Sequence, residues 1–244
     1  MLAVIGGSGL GRLAALDVRE RRAVETPYGP PSASLVFGRL RGRETLFLAR
    51  HGEGHRIPPH EINYRANLRA LADAGASAVV AVASVGGIRQ DLAPGTIVLP
   101  DQLIDYTWGR RGTFFDEGAP VTHVDFTEPY APALRARIAA AAVRAGEPIV
   151  RGGVYAATQG PRLETAAEID RLERDGAHMV GMTGMPEAAL ARELGLPYAA
   201  IAVVVNWAAG RGDSVRGVSL AAIEATQSRA MQRVERVLEA LAEE

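Results

Sequence analysis

The chain of 244 residues contains no cysteine. Disulfides, thiol nucleophiles and cysteine-ligated metals are therefore excluded together. Such a composition is compatible with a reducing cytoplasm, the compartment expected here. Lysine is also absent: all 27 Lys+Arg residues are arginine. That excludes lysine Schiff bases, hence lysine-anchored pyridoxal enzymes and the corresponding aldolases. It equally excludes the P-loop lysine of ordinary nucleoside triphosphatases. A GC-rich genome accounts for the exchange of lysine for arginine without a functional reason. Charge of one sign is lacking too, with 27 basic against 28 acidic residues and a formal net charge of -1. A general nucleic-acid binder needs a strongly basic face, so none is expected. No apolar run reaches the roughly 18–20 residues that span a membrane. The opening MLAVIGGSGLGRL has neither a basic n-region nor a long apolar h-region, so a signal peptide is not expected. Internal repeats, low-complexity linkers and charge blocks are missing as well.

What remains is ordinary for a folded domain: 48% hydrophobic and 23% charged residues. The length suits one domain over residues 1–244 with a substantial core. Apolar runs that break into glycine or polar residues predict strands over 2–5, 34–40, 45–49, 78–83, 96–99, 154–158 and 199–205, with one more ending at Met182. Helical spacing is read over 61–74, 133–145, 165–175, 186–194 and 219–242. The segment 110–129 has no clear period but carries Phe114, Phe115, His123 and Phe126. A loop this long in a compact domain is usually functional or packed on something. Strands alternating with helices imply an α/β fold, a single domain with a mixed, largely parallel central sheet flanked by helices.

In open α/β sheets, ligands bind beyond the carboxyl ends of the strands. Ser8, Arg50, His51, Ser84, Met182, Thr183 and Asn206 all follow predicted strands. The dinucleotide fingerprint fails at the first turn: after Gly7 and Gly9 the third position is Arg12, and Gly11 is one residue early. A nucleophile elbow at Ser8 fails because Leu10 replaces its last glycine. What is left is a glycine turn with amides and one hydroxyl. It is compatible with an anion site and equally with a turn that serves only the fold. Arg50 is a natural oxyanion clamp, to which His51 can add a donor. His51, His55 and His60 lie close together, but without an H-E-x-x-H pattern or cysteine no metal site is expected.

Taken together, the segments resemble the trimeric purine nucleoside phosphorylase and methylthioadenosine phosphorylase family. The carriers are Ile5–Leu10, Arg50-His-Gly52 with His55, Ile62–Asn67, Ser84–Ile88, Pro100–Gln102 with Ile104-Asp105, Phe126–Pro129, Gln159–Thr165, Gly181–Glu187 and Asn206. Each is weak alone, while their shared order and spacing are specific and span nearly the whole chain. The resemblance implies transfer of a ribosyl group from a purine to phosphate through an oxocarbenium-like sugar. Inorganic phosphate is a co-substrate, and no cofactor or metal is implied. Ser8, Arg50, His51 and Thr183 look like phosphate ligands, with Ala83 and Ser84 adding to that site. Ala83 departs from the hydroxyl residue of some relatives. Met182 looks like the ribose-facing position. A homotrimer acting on small molecules is implied, with His123 of the long segment reaching the neighbouring subunit's sugar site.

Two positions bear on the base and are the implied catalytic pair. Asn206 stands where adenine-preferring relatives carry aspartate, and its amide can donate to a 6-oxo oxygen while its carbonyl faces N7–H. Glu164 matches the glutamate of 6-oxopurine enzymes and can accept from N1–H. Against adenine it would face a lone pair, and such mismatches discriminate strongly. A carboxylate serving a helix dipole is the purely structural alternative for Glu164. Leu163, Trp207 and Ala208 flank these positions, and Ala208 replaces a second aspartate of adenine-preferring relatives. At the sugar end, relatives that bind a 5′-hydroxyl use a histidine where Val218, Leu220 and Ile223 lie here. An apolar pocket there suits a methylthio group, although ordinary helix packing would leave the same pattern. The combination implies phosphorolysis of S-methyl-5′-thioinosine to hypoxanthine and 5-methylthioribose 1-phosphate. Inosine/guanosine phosphorolysis, methylthioadenosine phosphorolysis and a non-catalytic purine-binding module are the alternatives.

Overall fold

A computed structural model describes residues 1–115, 118, 120 and 122–243. Four positions inside the aperiodic segment, 116, 117, 119 and 121, therefore lie outside the described residues. The strands are β1 (Leu2–Gly6), β2 (Asp17–Arg22), β3 (Leu35–Leu40), β4 (Arg43–Ala49), β5 (Ala78–Gly87), β6 (Ile97–Leu99), β7 (Gln102–Asp105), β8 (Val150–Arg151), β9 (Val154–Ala157), β10 (Met179–Gly181) and β11 (Tyr198–Trp207). The α-helices are α1 (Tyr64–Asp73), α2 (Pro132–Arg144), α3 (Ala166–Arg174), α4 (Glu187–Glu193) and α5 (Leu220–Ala242). They form one α/β domain around a single mixed sheet. Parallel pairs join β1 to β4 and β5, β5 to β11, β9 to β10 and β7, and β6 to β8. Antiparallel pairs join β2 to β3, β3 to β4, β5 to β10, and β6 to β11.

Alternation along the buried strands sends successive side chains to opposite faces. Val4, Val80, Val82, Ile201 and Val203 pack under α2 and α5, against Ile138, Val234, Leu238 and Leu241. Ala3, Ile5, Leu48, Val79 and Ala81 face the other way, against Leu68 and Leu71 of α1 and Leu190 of α4. Each such Leu, Ile or Val contributes about 1.5–3 kcal/mol by leaving water.

Three strands, β2, β7 and the two-residue β8, have no counterpart among the expected elements. In β2, D-V-R-E-R-R, every residue is exposed, so no apolar alternation marks it. Its order comes from backbone pairing to β3 and from side chains such as Arg22, which lies 4.4 Å over the Phe37 ring. The four-residue β7 is half-exposed and, among the described residues, pairs only with β9.

The topology delivers chain ends to one edge. β1 and β4 run in register and finish together at Gly6 and Ala49. β5 is longer: Ala78–Ala81 pair with β1, and the strand then runs on beside β11. Its last residues, Gly86 and Gly87, meet β10 coming from the opposite direction. The gap left where β1 stops is where the residues after β1, β4 and β10 converge with the second half of β5 and the C-terminal part of β11.

Candidate active site

A cavity of about 650 Å³ occupies that gap. Ser8, Arg50, His51, Ala83, Ser84, Met182, Thr183, Leu163, Glu164, Asn206, Val218, Leu220 and Ile223 all line it. It has three regions.

The first region is the glycine turn with the end of β4. The Leu10 N–H donates to the Gly7 carbonyl at 3.0 Å and closes the turn. A side chain on Gly7 would overlap the Val82 carbonyl and sit 2.7 Å from Arg50 Nη1, so the backbone approach requires glycine. Arg50 is almost wholly buried. Its Nε and Nη2 donate to the two carboxylate oxygens of Glu187 at 2.7 and 2.8 Å, and Nη1 donates to the Val82 carbonyl at 2.8 Å. Burial works against the guanidinium charge, but the Glu187 carboxylate outweighs it and holds Arg50 firmly protonated. A guanidinium has five N–H groups. Three are spent on this scaffold, which leaves one on each terminal nitrogen for an oxyanion.

Glu187 is fully buried and also accepts from the Tyr198 hydroxyl at 2.8 Å. It closes the Gly181–Glu187 motif, but its sequence position does not reveal that it pairs with Arg50 across 137 residues.

His51 is not the donor that sequence reading expects. Its Nδ1 lies 2.8 Å from the Ile57 carbonyl, which can only accept, so Nδ1 carries the proton. Burial and then the Arg50 cation push the ring down to about 4. At neutral pH Nε2 is thus an acceptor, suited to the O–H of a monoprotonated phosphate. The shift also makes His51 a stability probe. An unfolded histidine takes a proton near its ordinary value of about 6.5. This one does so in the fold only near 4. Its contribution is complete above about 6.5 and is lost as the pH falls towards 4. The midpoint of thermal unfolding is expected to drop across that window, and less steeply in His51→Asn. Identical pH profiles for the two proteins would remove His51 as the cause.

The hydroxyls complete this region. Ser8 Oγ lies 3.5 Å from His55 Nε2, and the His51 and His55 rings pack at 4.2 Å. Ser84 Oγ lies 3.3 Å from Gln227 Oε1 and 3.4 Å from the Ser8 carbonyl. Gln227 also lines the cavity. Sequence reading passed over it, although it stands four residues after Ile223 and seven after Leu220, on the same helix face.

The second region combines α3 with the end of β11. Thr165 caps α3 in a reciprocal capping box with Glu168. The Arg162 ion pair and then the Thr165 N–H hold the Glu168 carboxyl at about 2. Glu168 is therefore the carboxylate that serves the helix terminus. Glu164 lies just outside the cap, and its Oε1 accepts from Thr158 Oγ1 at 2.6 Å. Glu164 is therefore not the carboxylate that caps the helix, and it lines the cavity.

Opposite it, β11 slips register between Val204 and Asn206. A bulge re-aims side chains, and here Val205 and Asn206 both line the cavity, which strict alternation forbids. Asn206 Nδ2 donates to the Trp207 carbonyl at 2.6 Å. One N–H and the Oδ1 acceptor remain, the pair needed for an oxo group beside an N–H.

The third region is apolar. Val218 and Ile223 are half-buried and Leu220 is exposed, as is Leu163 across the mouth. Three sequence candidates fall outside the cavity lining. Ala208 is buried, packed 3.5 Å from where a side chain on Gly86 would point. Trp207 is turned away against Gly212, where any side chain would strike its ring. His123 is exposed and does not line the cavity of its own chain. Among the described residues no group of three His, Asp or Glu converges as a metal site. No helix among them is long and apolar enough to cross a membrane.

Comparison with known proteins shows the family. The model of the phosphorylase superfamily matches residues 1–243. A probable S-methyl-5′-thioinosine phosphorylase of Xanthomonas campestris pv. campestris is 58% identical over 87% of this chain and 86% of its own. A 6-oxopurine nucleoside phosphorylase of Pyrococcus furiosus is 47% identical over 86% of this chain and 80% of its own. Among solved structures, methylthioadenosine phosphorylase from Schistosoma mansoni in complex with adenine superposes with a TM-score of 0.95. It is 32% identical and covers 99% of this chain and 90% of its own.

Proposed function

The chain belongs to the phosphorylase superfamily, and from that premise we propose that it is a pentosyltransferase acting on S-methyl-5′-thioinosine. With phosphate it yields hypoxanthine and 5-methylthioribose 1-phosphate. One observation carries the reading: Glu164 and Asn206 share a cavity with the Arg50 anion site and the apolar wall of Val218, Leu220 and Ile223.

The residues divide the work. The two free N–H groups of Arg50, the Ser8 and Thr183 hydroxyls and the Ser84 region hold phosphate, while His51 Nε2 accepts a hydrogen bond from its O–H. Charge-assisted hydrogen bonds of this kind are the strong ones. Met182 lies along the ribose. The C1′–N9 bond breaks with its electron pair going to the purine, and a phosphate oxygen then forms the new bond to C1′ from the opposite face. As the bond stretches, the purine N7 takes a proton from solvent; Asn206 donates to O6 and accepts from that N7–H, and Glu164 accepts from N1–H. Donors aimed where charge appears only in the transition state accelerate the step itself. No protein nucleophile is needed, so a chain without cysteine and lysine suffices.

A second reading, a 6-oxopurine phosphorylase for nucleosides with a free 5′-hydroxyl, is favoured by Gln227, a polar side chain on the otherwise apolar face. We further propose a cytoplasmic homotrimer with no cofactor, in which exposed His123 serves a neighbouring subunit. A panel of nucleosides with saturating phosphate separates these readings. Methylthioinosine is expected to exceed inosine at least tenfold in kcat/KM, the order of one or two buried apolar groups. Equal efficiency would transfer the assignment to the second reading. Sedimentation analysis at a mass other than three chains would refute the trimer.

A further inference from the structure

Arg110 stands at the head of the aperiodic segment and takes no part in the chemistry above, yet it bonds the two segments that carry Glu164 and Met182 to the cavity. Nη1 donates to the Met182 and Met185 carbonyls at 2.8 and 2.6 Å. Nη2 donates to the Gln159 and Thr158 carbonyls at 2.8 and 3.3 Å. Nε reaches the Gln159 side-chain oxygen at 3.2 Å, and Nη1 also reaches the Tyr64 hydroxyl at 3.3 Å. Four backbone carbonyls from two separate segments thus converge on one cation.

Those two segments hold opposite ends of the nucleoside. Residues 158–164 lead from Thr158 to Glu164, which Thr158 orients. Residues 182–187 carry Met182, Thr183 and Glu187, the partner of Arg50. They also touch directly: Gly160, at φ +63°, abuts Met182, whose sulfur occupies the space a side chain there would need. We infer that Arg110 is a positioning residue that locks the base-reading segment 158–164 to the ribose and phosphate segment 182–187.

A planar guanidinium can bond two loops at once along fixed directions, whereas an ammonium offers a compact point charge. The lock matters because the bond that breaks lies between the two segments. If they drift apart, base and phosphate each still bind, but C1′ is no longer held between them. Misplacement by about 1 Å can cost about 100-fold in rate. The inference rests, for its catalytic consequence, on the function proposed above.

The test therefore uses two readouts on the full chain. Hydrogen exchange of Arg110→Lys is expected to speed up in 158–164 and 182–187 together, with the central strands unchanged. Turnover of methylthioinosine by the same variant is expected to fall about 100-fold in kcat, with the phosphate KM within about threefold of the parent. Millimolar guanidinium should restore at least a tenfold gain in Arg110→Ala, which a collapsed fold would not show. Wild-type exchange in both segments, or loosening of only one, would overturn the lock. So would a kcat within threefold of the parent in folded Arg110→Lys. Joint loosening in a protein whose parent turns over no purine nucleoside would uphold the lock and refute the functional reading instead.

Discussion

Arg50→Ala is expected to lower kcat/KM for phosphate by about 10²–10³, the scale for removing one preorganised anion donor. The nucleoside KM should change far less, because the base and 5′ regions do not touch this side chain. Stability must be tracked in parallel. Arg50 and Glu187 are both buried and form a two-point ion pair. Removing one partner leaves a buried charge uncompensated, at a cost of about 3–5 kcal/mol. The double change Arg50→Met with Glu187→Leu removes both charges, and such apolar replacements of a buried pair are often neutral or stabilising. It should regain most of the lost thermal stability and none of the phosphate-dependent activity. Unaltered phosphate dependence in folded Arg50→Ala would show that the anion site lies elsewhere.

The second large effect concerns the base. Glu164→Ser with Asn206→Asp is expected to raise the 6-amino over 6-oxo ratio of kcat/KM by about 10³. Sites built to pair a given polar group reject a mismatched analogue by up to about 10⁴–10⁵, and loss of the native fit offsets part of that swing. Glu164 accepts the N1–H that adenine lacks, and the serine removes that repulsion. The aspartate replaces an amide whose one N–H is already spent on the Trp207 carbonyl. An unchanged ratio would mean that neither residue reads the base.

The site was legible where it follows strand ends. Ser8, Arg50, Met182 and Thr183 stand just past strand ends, which the mixed sheet gathers at one place, whereas Ser84 and Asn206, expected after strands, lie inside the longer β5 and β11. The alternative for Glu164 was also visible as T-A-A-E at Thr165–Glu168, a capping box that already fills the helix terminus. Glu187 and Arg110 were not legible, because their roles are tertiary. Glu187 meets an arginine 137 residues away, and Arg110 bonds mostly to backbone carbonyls, which no side-chain pattern encodes. The bulge that turns Asn206 inwards while directing Trp207 to Gly212 is likewise invisible as spacing. Strand β2 escaped detection for the opposite reason, since it buries nothing on either face.

The proposed reaction is transfer to phosphate from a 6-oxopurine 5′-thionucleoside. Its most direct test follows hypoxanthine by absorbance and the sugar product by ³¹P NMR, with methylthioinosine as substrate, in the presence and absence of phosphate. One 5-methylthioribose 1-phosphate for each hypoxanthine, and no base release without phosphate, is the predicted result. Base released at the same rate without phosphate, or faster release from methylthioadenosine, would contradict it.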